Sequence, residues 1–268
     1  MGSPLSVRGI DIHVEGAGEE SIVMVHGWPD TYRLWDATVE VLKSRYRCIR
    51  FTLPGFDPAS DGRPHTLDEL LAFLGEVIER TSPGKKVILL LHDWGCFFGY
   101  QFYARNPEKV SRIVGVDIGD PRATAQTMTR REKAIMLSYQ TWNALAWRIG
   151  GGIGDWMIRA MANLAGCPSD RAPMSWRMGY PYYVLWFGGR DSFRGQVRRF
   201  APTCPMLFVY GVRKPLRFHS PQWAAELKEK PGSDVVEFDT GHWVMSNQPE
   251  RFHQVVGDWL ARGAASRY

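Results

Sequence analysis

An α/β fold with a mostly parallel, eight-stranded sheet and helices on both faces is what this sequence predicts, on three observations. Short runs rich in β-branched residues recur along most of the chain, one-sided helical patterns lie between them, and 44% of the 268 residues are apolar. A chain of that length and apolarity buries a full core. Strands that alternate with helices pair in parallel, with both faces of the sheet covered.

In chain order, Leu5 to Val7 and Ile10 to Val14, joined at Arg8-Gly9, read as a hairpin. Ile22–Val25, Arg47–Phe51, Val87–Leu91, Ile113–Val116, Met206–Tyr210 and Val235–Phe238 read as the remaining strands. Thr66 with Asp68 and Glu69 opens a helix whose apolar positions Leu70, Leu71, Leu74, Val77 and Ile78 keep to one side. Phe98 to Ala104 and Trp223 to Leu227 show similar patterns. The alternation lapses between about Pro121 and Pro202, a helical stretch rich in Trp, Met and Tyr, broken at Gly150-Gly151-Gly152 and Gly166-Cys167-Pro168. Inserted after the strand Ile113–Val116, it would cover the C-terminal strand ends, where open α/β sheets bind ligands. The expected division is a core of residues 1–121 and 203–268 with a helical cap of residues 122–202. Trp147, Trp156 and Trp176 read as packing, and Trp142 as packing or pocket wall.

The net charge of +5 is spread along the chain, and Arg130-Arg131 and Arg198-Arg199 are too short for a nucleic-acid stripe. Cys48, Cys96, Cys167 and Cys204 lack metal-ligand spacing and follow no signal peptide, so reduced thiols in the cytoplasm are expected, with no metal and no cofactor. The longest apolar run, Val87 to Leu91, is far short of the roughly 20 residues that span a bilayer. Met1-Gly2-Ser3-Pro4-Leu5-Ser6 fits a myristoylation pattern formally, with Pro4 against it, and Ser266-Arg267-Tyr268 lacks the terminal Leu of a peroxisomal address.

The chemistry lies at strand ends. Leu90-Leu91-His92-Asp93-Trp94-Gly95-Cys96 ends an apolar strand on a carboxylate and turns into a helix, the pattern of a nucleophile elbow with Asp in place of Ser. A carboxylate there attacks an electrophilic carbon to form an alkyl ester that water then hydrolyses. Alone, such an Asp could equally cap the helix. Two further strand ends weigh against that: His26-Gly27-Trp28-Pro29-Asp30 after Ile22–Val25, and Thr240-Gly241-His242-Trp243 after Val235–Phe238.

Taken together, His-Gly-Trp-Pro, His-Asp-Trp-Gly and Gly-His-Trp resemble the α/β-hydrolase fold over nearly the whole chain, in the branch of epoxide hydrolases and haloalkane or fluoroacetate dehalogenases. The resemblance implies Asp93 as nucleophile, the backbone N–H groups of Trp28 and Trp94 as oxyanion hole, and His242 as the base that activates water. Many relatives carry the acid after the penultimate strand, but Tyr210-Gly211-Val212-Arg213-Lys214-Pro215-Leu216-Arg217 holds no carboxylate. Others carry it one strand after the nucleophile, which implies Asp117, with Asp120 on the same loop as the alternative. Asp239 reads as a turn or cap residue.

Tyr139-Gln140 and Tyr182-Tyr183 resemble the two cap tyrosine motifs of epoxide hydrolases, whose phenols protonate the leaving alkoxide, and Tyr183 is preferred over Tyr182 as the second donor. Trp28, Trp94, Phe97, Trp142, Tyr182 and Trp243 are expected around the substrate. The pattern is departed from at Leu91, where a small residue is common, at Cys96, where Gly is frequent, and at Val184, where Arg is frequent. Leu91 predicts a wider elbow. The arginines that hold fluoroacetate are replaced by Trp94 and Phe97, so the expected partners are water and a small apolar electrophile, most simply an epoxide. Dehalogenation by the same triad is the alternative, and a catalytically silent scaffold the third reading. An oligomer is compatible with the sequence.

Overall fold

The computed structural model describes residues 5–265, so the readings of Gly2 and of Ser266-Arg267-Tyr268 concern residues outside that range. Among the described residues the nine strands are β1 (Ser6–Val7), β2 (Ile10–Asp11), β3 (His13–Glu15), β4 (Ser21–Val25), β5 (Arg47–Arg50), β6 (Val87–His92), β7 (Val110–Val116), β8 (Met206–Gly211) and β9 (Asp234–Phe238). Seven form one sheet in the order β3-β5-β4-β6-β7-β8-β9, antiparallel only at β3.

The expected eight-stranded sheet is therefore seven strands plus a separate ribbon of β1 and β2. Arg8 and Gly9 both take positive φ, which closes a tight two-residue turn. Beyond it the expected strand Ile10–Val14 divides at buried Ile12, and His13–Glu15 crosses to pair with β5.

The inner strands β4 and β6 are buried at every residue, as apolar runs covered on both faces must be. Helix α1 (Asp36–Leu42) packs on the long terminal helix α11 (Pro249–Ala265), and α2 (Leu67–Thr81) packs on α3 (Trp94–Tyr103). Thr66 caps α2 reciprocally with Glu69, as the sequence predicts.

Leu91 is accommodated from the opposite side. A Cβ at Gly99 of α3 would lie 2.5 and 2.6 Å from the two Leu91 methyls, so glycine one helical turn past the elbow supplies the room that a small residue at 91 would otherwise leave. Gly99→Ala is expected to lower stability by up to about 2 kcal/mol, an overpacking cost of roughly 1–3 kcal/mol against a helix-propensity gain of roughly 1 kcal/mol. Urea unfolding measures it, and an unchanged or raised midpoint would show that Leu91 has room to turn aside.

Between β7 and β8 the described chain is helical: α4 (Pro121–Thr127), α5 (Arg130–Ile149), α6 (Gly151–Leu164), α7 (Tyr180–Phe187) and α8 (Phe193–Gln196). Thr129 and Glu132 form a capping box at the start of α5, and Gly150 at φ 70° ends it and turns the chain directly into α6. Helix α5 packs on both α6 and α7. After β8 come α9 (Pro221–Lys228) and, after β9, the short α10 (Val244–Asn247). No described helix is long and apolar enough to cross a membrane.

Candidate active site

Register sets the site. Val25 of β4 pairs with Leu91 of β6, and His92 of β6 with Val116 of β7, so these strands end side by side and deliver Trp28, Asp93 and Asp117 to one edge. Asp93 sits at φ 52° and ψ −121°, outside the regions L-residues prefer, and α3 starts at the next residue. The turn closes because two glycines let backbones touch. A Cβ at Gly27 would lie 2.4 Å from Asp93 Oδ1, and one at Gly95 would lie 2.2 Å from the Val25 carbonyl oxygen.

The Trp28 backbone N–H donates to Asp93 Oδ1 at 2.7 Å. Its turn is clamped by His26, whose Nδ1–H donates to Gly27 O at 2.9 Å while Nε2 accepts from Leu53 N–H at 2.9 Å. Burial lowers the His26 pKa to about 4, so this imidazole is neutral and structural. The Trp94 N–H stands at the first position of α3, beside the Asp93 carboxylate.

His242 lies between two carboxylates. Its Nδ1 bonds Asp117 Oδ2 at 2.5 Å, and its Nε2 is 3.5 Å from Asp93 Oδ2. Burial disfavours the imidazolium, yet the charges and hydrogen bonds of Asp117 and Asp93 outweigh it and raise the His242 pKa to about 9. Asp93 is likewise opposed by burial but held below the usual carboxylate range by His242. Asp117 also takes positive φ, at 70°, and burial is overcome there by the charges of Lys214 and His242, which hold its carboxyl far below that range.

Of the alternatives, Asp120 caps α4, accepting from Ala123 N–H at 3.1 Å, and Asp239 forms an exposed ion pair with Arg213 in place of the expected turn or cap. Neither contacts His242 among the described residues.

A cavity of about 390 Å³ opens on Asp93 beneath α5 and α7, with Trp94 and Phe97 in its wall. Tyr139 and Tyr182 line it, their rings 5.8 Å apart, and Tyr182 stands edge-on to Trp94 at 5.2 Å. Burial and the nearby Asp93 charge push both phenols well above their ordinary pKa, so both stay protonated in the resting site.

Tyr183, the second donor preferred from the sequence, does not line this cavity: one residue on in a helix is about 100° round, and its ring packs on Trp147 at 4.2 Å and Phe187 at 5.5 Å. Trp142 is also withdrawn, its indole N–H donating to Met157 O at 2.9 Å within the α5–α6 contact. The rings of Trp28 and Trp243 stand behind the wall, Trp28 edge-on to Tyr182 at 6.1 Å and Trp243 packed on His242 at 4.9 Å. Cavity residues absent from the sequence reading include Met136, Leu185 and Trp186. Helical spacing could have found them, since they lie three or four residues from Tyr139 and Tyr182 on the same helix faces.

Asp30 was not singled out either. Buried behind the site, it accepts from the Trp243 indole N–H at 2.9 Å and from the Ser169 hydroxyl in the helical insertion. Burial raises its pKa to about 6 despite those hydrogen bonds.

The model of the Alpha/beta hydrolase family matches residues 22–255. The chain belongs to that family. It is 35% identical over 118 residues to "Probable oxidoreductase EphD" of Mycobacterium tuberculosis, a match covering 41% of this chain and 19% of that protein. Among solved structures it is similar to an epoxide hydrolase from Bacillus megaterium in complex with an inhibitor, with TM-score 0.71 and 17% identity over 97% of this chain and 100% of that one. A haloalkane dehalogenase loop variant from Bradyrhizobium elkanii gives TM-score 0.70 and 19% identity over 99% and 97%.

Proposed function

We propose that this hydrolase hydrates an apolar or aromatic epoxide to a diol through an ester on Asp93. The observation that carries the reading is that two phenols, Tyr139 and Tyr182, line the same cavity as the elbow carboxylate. Expelling a halide needs no proton donor, whereas opening an epoxide leaves an alkoxide that does.

In the first step Asp93 attacks an epoxide carbon, the carbon–oxygen bond of the ring breaks, and Tyr182 or Tyr139 gives its proton to the alkoxide. The protonated His242 of the resting site returns that proton to the tyrosinate and becomes neutral. It then takes a proton from water, and the hydroxide adds to the Asp93 carbonyl carbon. The oxyanion forms against the Trp28 and Trp94 N–H groups and collapses, the bond from the carbonyl carbon to the substrate oxygen breaks, and the proton left on the added hydroxyl passes to that oxygen, so the diol leaves with the Asp93 carboxylate and protonated His242 restored. Ester formation removes the Asp93 charge, one cause of the raised His242 pKa, so His242 becomes easier to deprotonate as its role as base begins. The same loss of charge makes both phenols more acidic while the alkoxide needs their proton. The helical insertion acts as the cap that carries those phenols and keeps bulk water from the ester.

The test is product release. Styrene oxide should give phenylethanediol, and a panel of 1-haloalkanes should release no halide at a comparable rate. Tyr182→Phe should slow diol formation by about 10²-fold, within the usual range for a general acid, while Tyr183→Phe stays close to the parent enzyme. Halide release that survives Tyr182→Phe would instead support dehalogenation.

A further inference from the structure

The loop after β8, where the sequence offers no acid, reaches back into the site with a base. Lys214 Nζ pairs with Asp117 Oδ1, the oxygen that also accepts Gly211 N–H at 3.0 Å, while Oδ2 faces His242. The Lys214 side chain is 8% exposed and that of Asp117 is 0% exposed, so the pair interacts with little screening by solvent. Phe218, whose ring lines the Asp93 cavity, lies 5.4 Å from the ammonium. No step of the proposed reaction uses Lys214. Lys214 also lines a second cleft of about 660 Å³, which Asp93 does not line.

We propose that Lys214 is a positioning residue that balances the charge of Asp117, so that His242 can give up its proton once Asp93 is esterified. The proposal rests on His242 acting as base in ester hydrolysis. Burial lowers the Lys214 pKa while the adjacent Asp117 favours its ammonium, so in the resting site two carboxylates, Asp93 and Asp117, face two cations, Lys214 and protonated His242. When Asp93 becomes a neutral ester, Lys214 alone still matches Asp117, and a neutral His242 leaves the cluster uncharged. Without Lys214 the ester state would be uncharged only with His242 protonated, and a protonated imidazole cannot take a proton from water. The other groups do not undo this. His92 beside His242 and His219 beside Lys214 have pKa values lowered by burial to about 3 and about 4, so both are neutral near pH 7. Arg217 near Lys214 and Asp30 near His242 keep their charge state when the ester forms, provided the pH stays above the Asp30 value.

Lys214→Met and Lys214→Arg separate charge from packing, with Lys214→Gln in reserve should the Met variant fail to fold. NMR titration of the His242 imidazole needs no substrate. Its midpoint should rise by about one unit or more in Lys214→Met, the size typical of removing a neighbouring charge, and stay near the parent in Lys214→Arg. With styrene oxide at neutral pH, Lys214→Met should accumulate the covalent ester and lose about tenfold in kcat, recovering as pH rises. A merely structural lysine would lower Tm and leave the midpoint in place. An unmoved or lowered midpoint overturns the proposal. A raised midpoint in a protein that makes no diol would leave the charge balance standing and reject the epoxide reading.

Discussion

Asp93→Asn is expected to abolish diol formation from styrene oxide, a loss of roughly 10⁴-fold or more, as for other nucleophiles removed from a triad. Asparagine suits the substitution because it tolerates positive φ better than most residues, so the turn at φ 52° survives. Its amide oxygen can still accept from the Trp28 N–H. What is lost is the charge and nucleophilicity of one oxygen. The same change removes one of the influences that raise His242, whose pKa should fall from about 9 in the variant. Intact-protein mass spectrometry of the variant with excess epoxide should show no added substrate mass. Turnover close to the parent rate with an unchanged fold would mean that position 93 is not the nucleophile.

The second large effect is expected at His242→Gln. The first step does not require an imidazole, so alkylation should proceed and hydrolysis should stall, with the protein gaining the mass of one substrate molecule and multiple turnover falling by roughly 10³-fold, within the range for a lost general base. In the parent enzyme, a single turnover in heavy-oxygen water should label Asp93 before it labels product. A variant that neither traps an adduct nor turns over, yet folds, would place His242 in the first step and contradict the order of events. The pH dependence follows the same logic. His242 works as a neutral base and its pKa is raised to about 9 in the free enzyme, so it is protonated at neutral pH there, and loss of the Asp93 charge on ester formation moves the value down and lets hydrolysis proceed at a lower pH than the free-enzyme value.

Comparison with the sequence divides by the range of the interactions involved. Asp93 directly follows β6, Asp117 directly follows β7 and His242 lies on the loop after β9; the strands were readable as local periodic runs, and the family resemblance pointed to these residues at their ends. The capping box at Thr66 spans four residues, and its motif was read in the chain, whereas the one at Thr129 was not. The sequence preferred Tyr183 where Tyr182 lines the cavity, because the two are adjacent. Choosing between them needs the rotation of α7, which is set by its packing on α5. Ile10–Val14 read as one strand because its composition favours extension throughout, while the break at Ile12 comes from the partner each half finds.

By itself the sequence determined the class of fold, the strand-end carboxylates and histidine, and a helical insertion free of strands, because these follow from periodicity, turn residues and chain order. Only the tertiary structure decided which tyrosine meets the carboxylate, that Gly99 makes room for Leu91, and that Lys214 holds Asp117 from the loop where no acid was found. Each of those pairs joins residues on different elements or depends on how a helix is turned. Their interaction is set by packing across elements, which no local run of residues encodes.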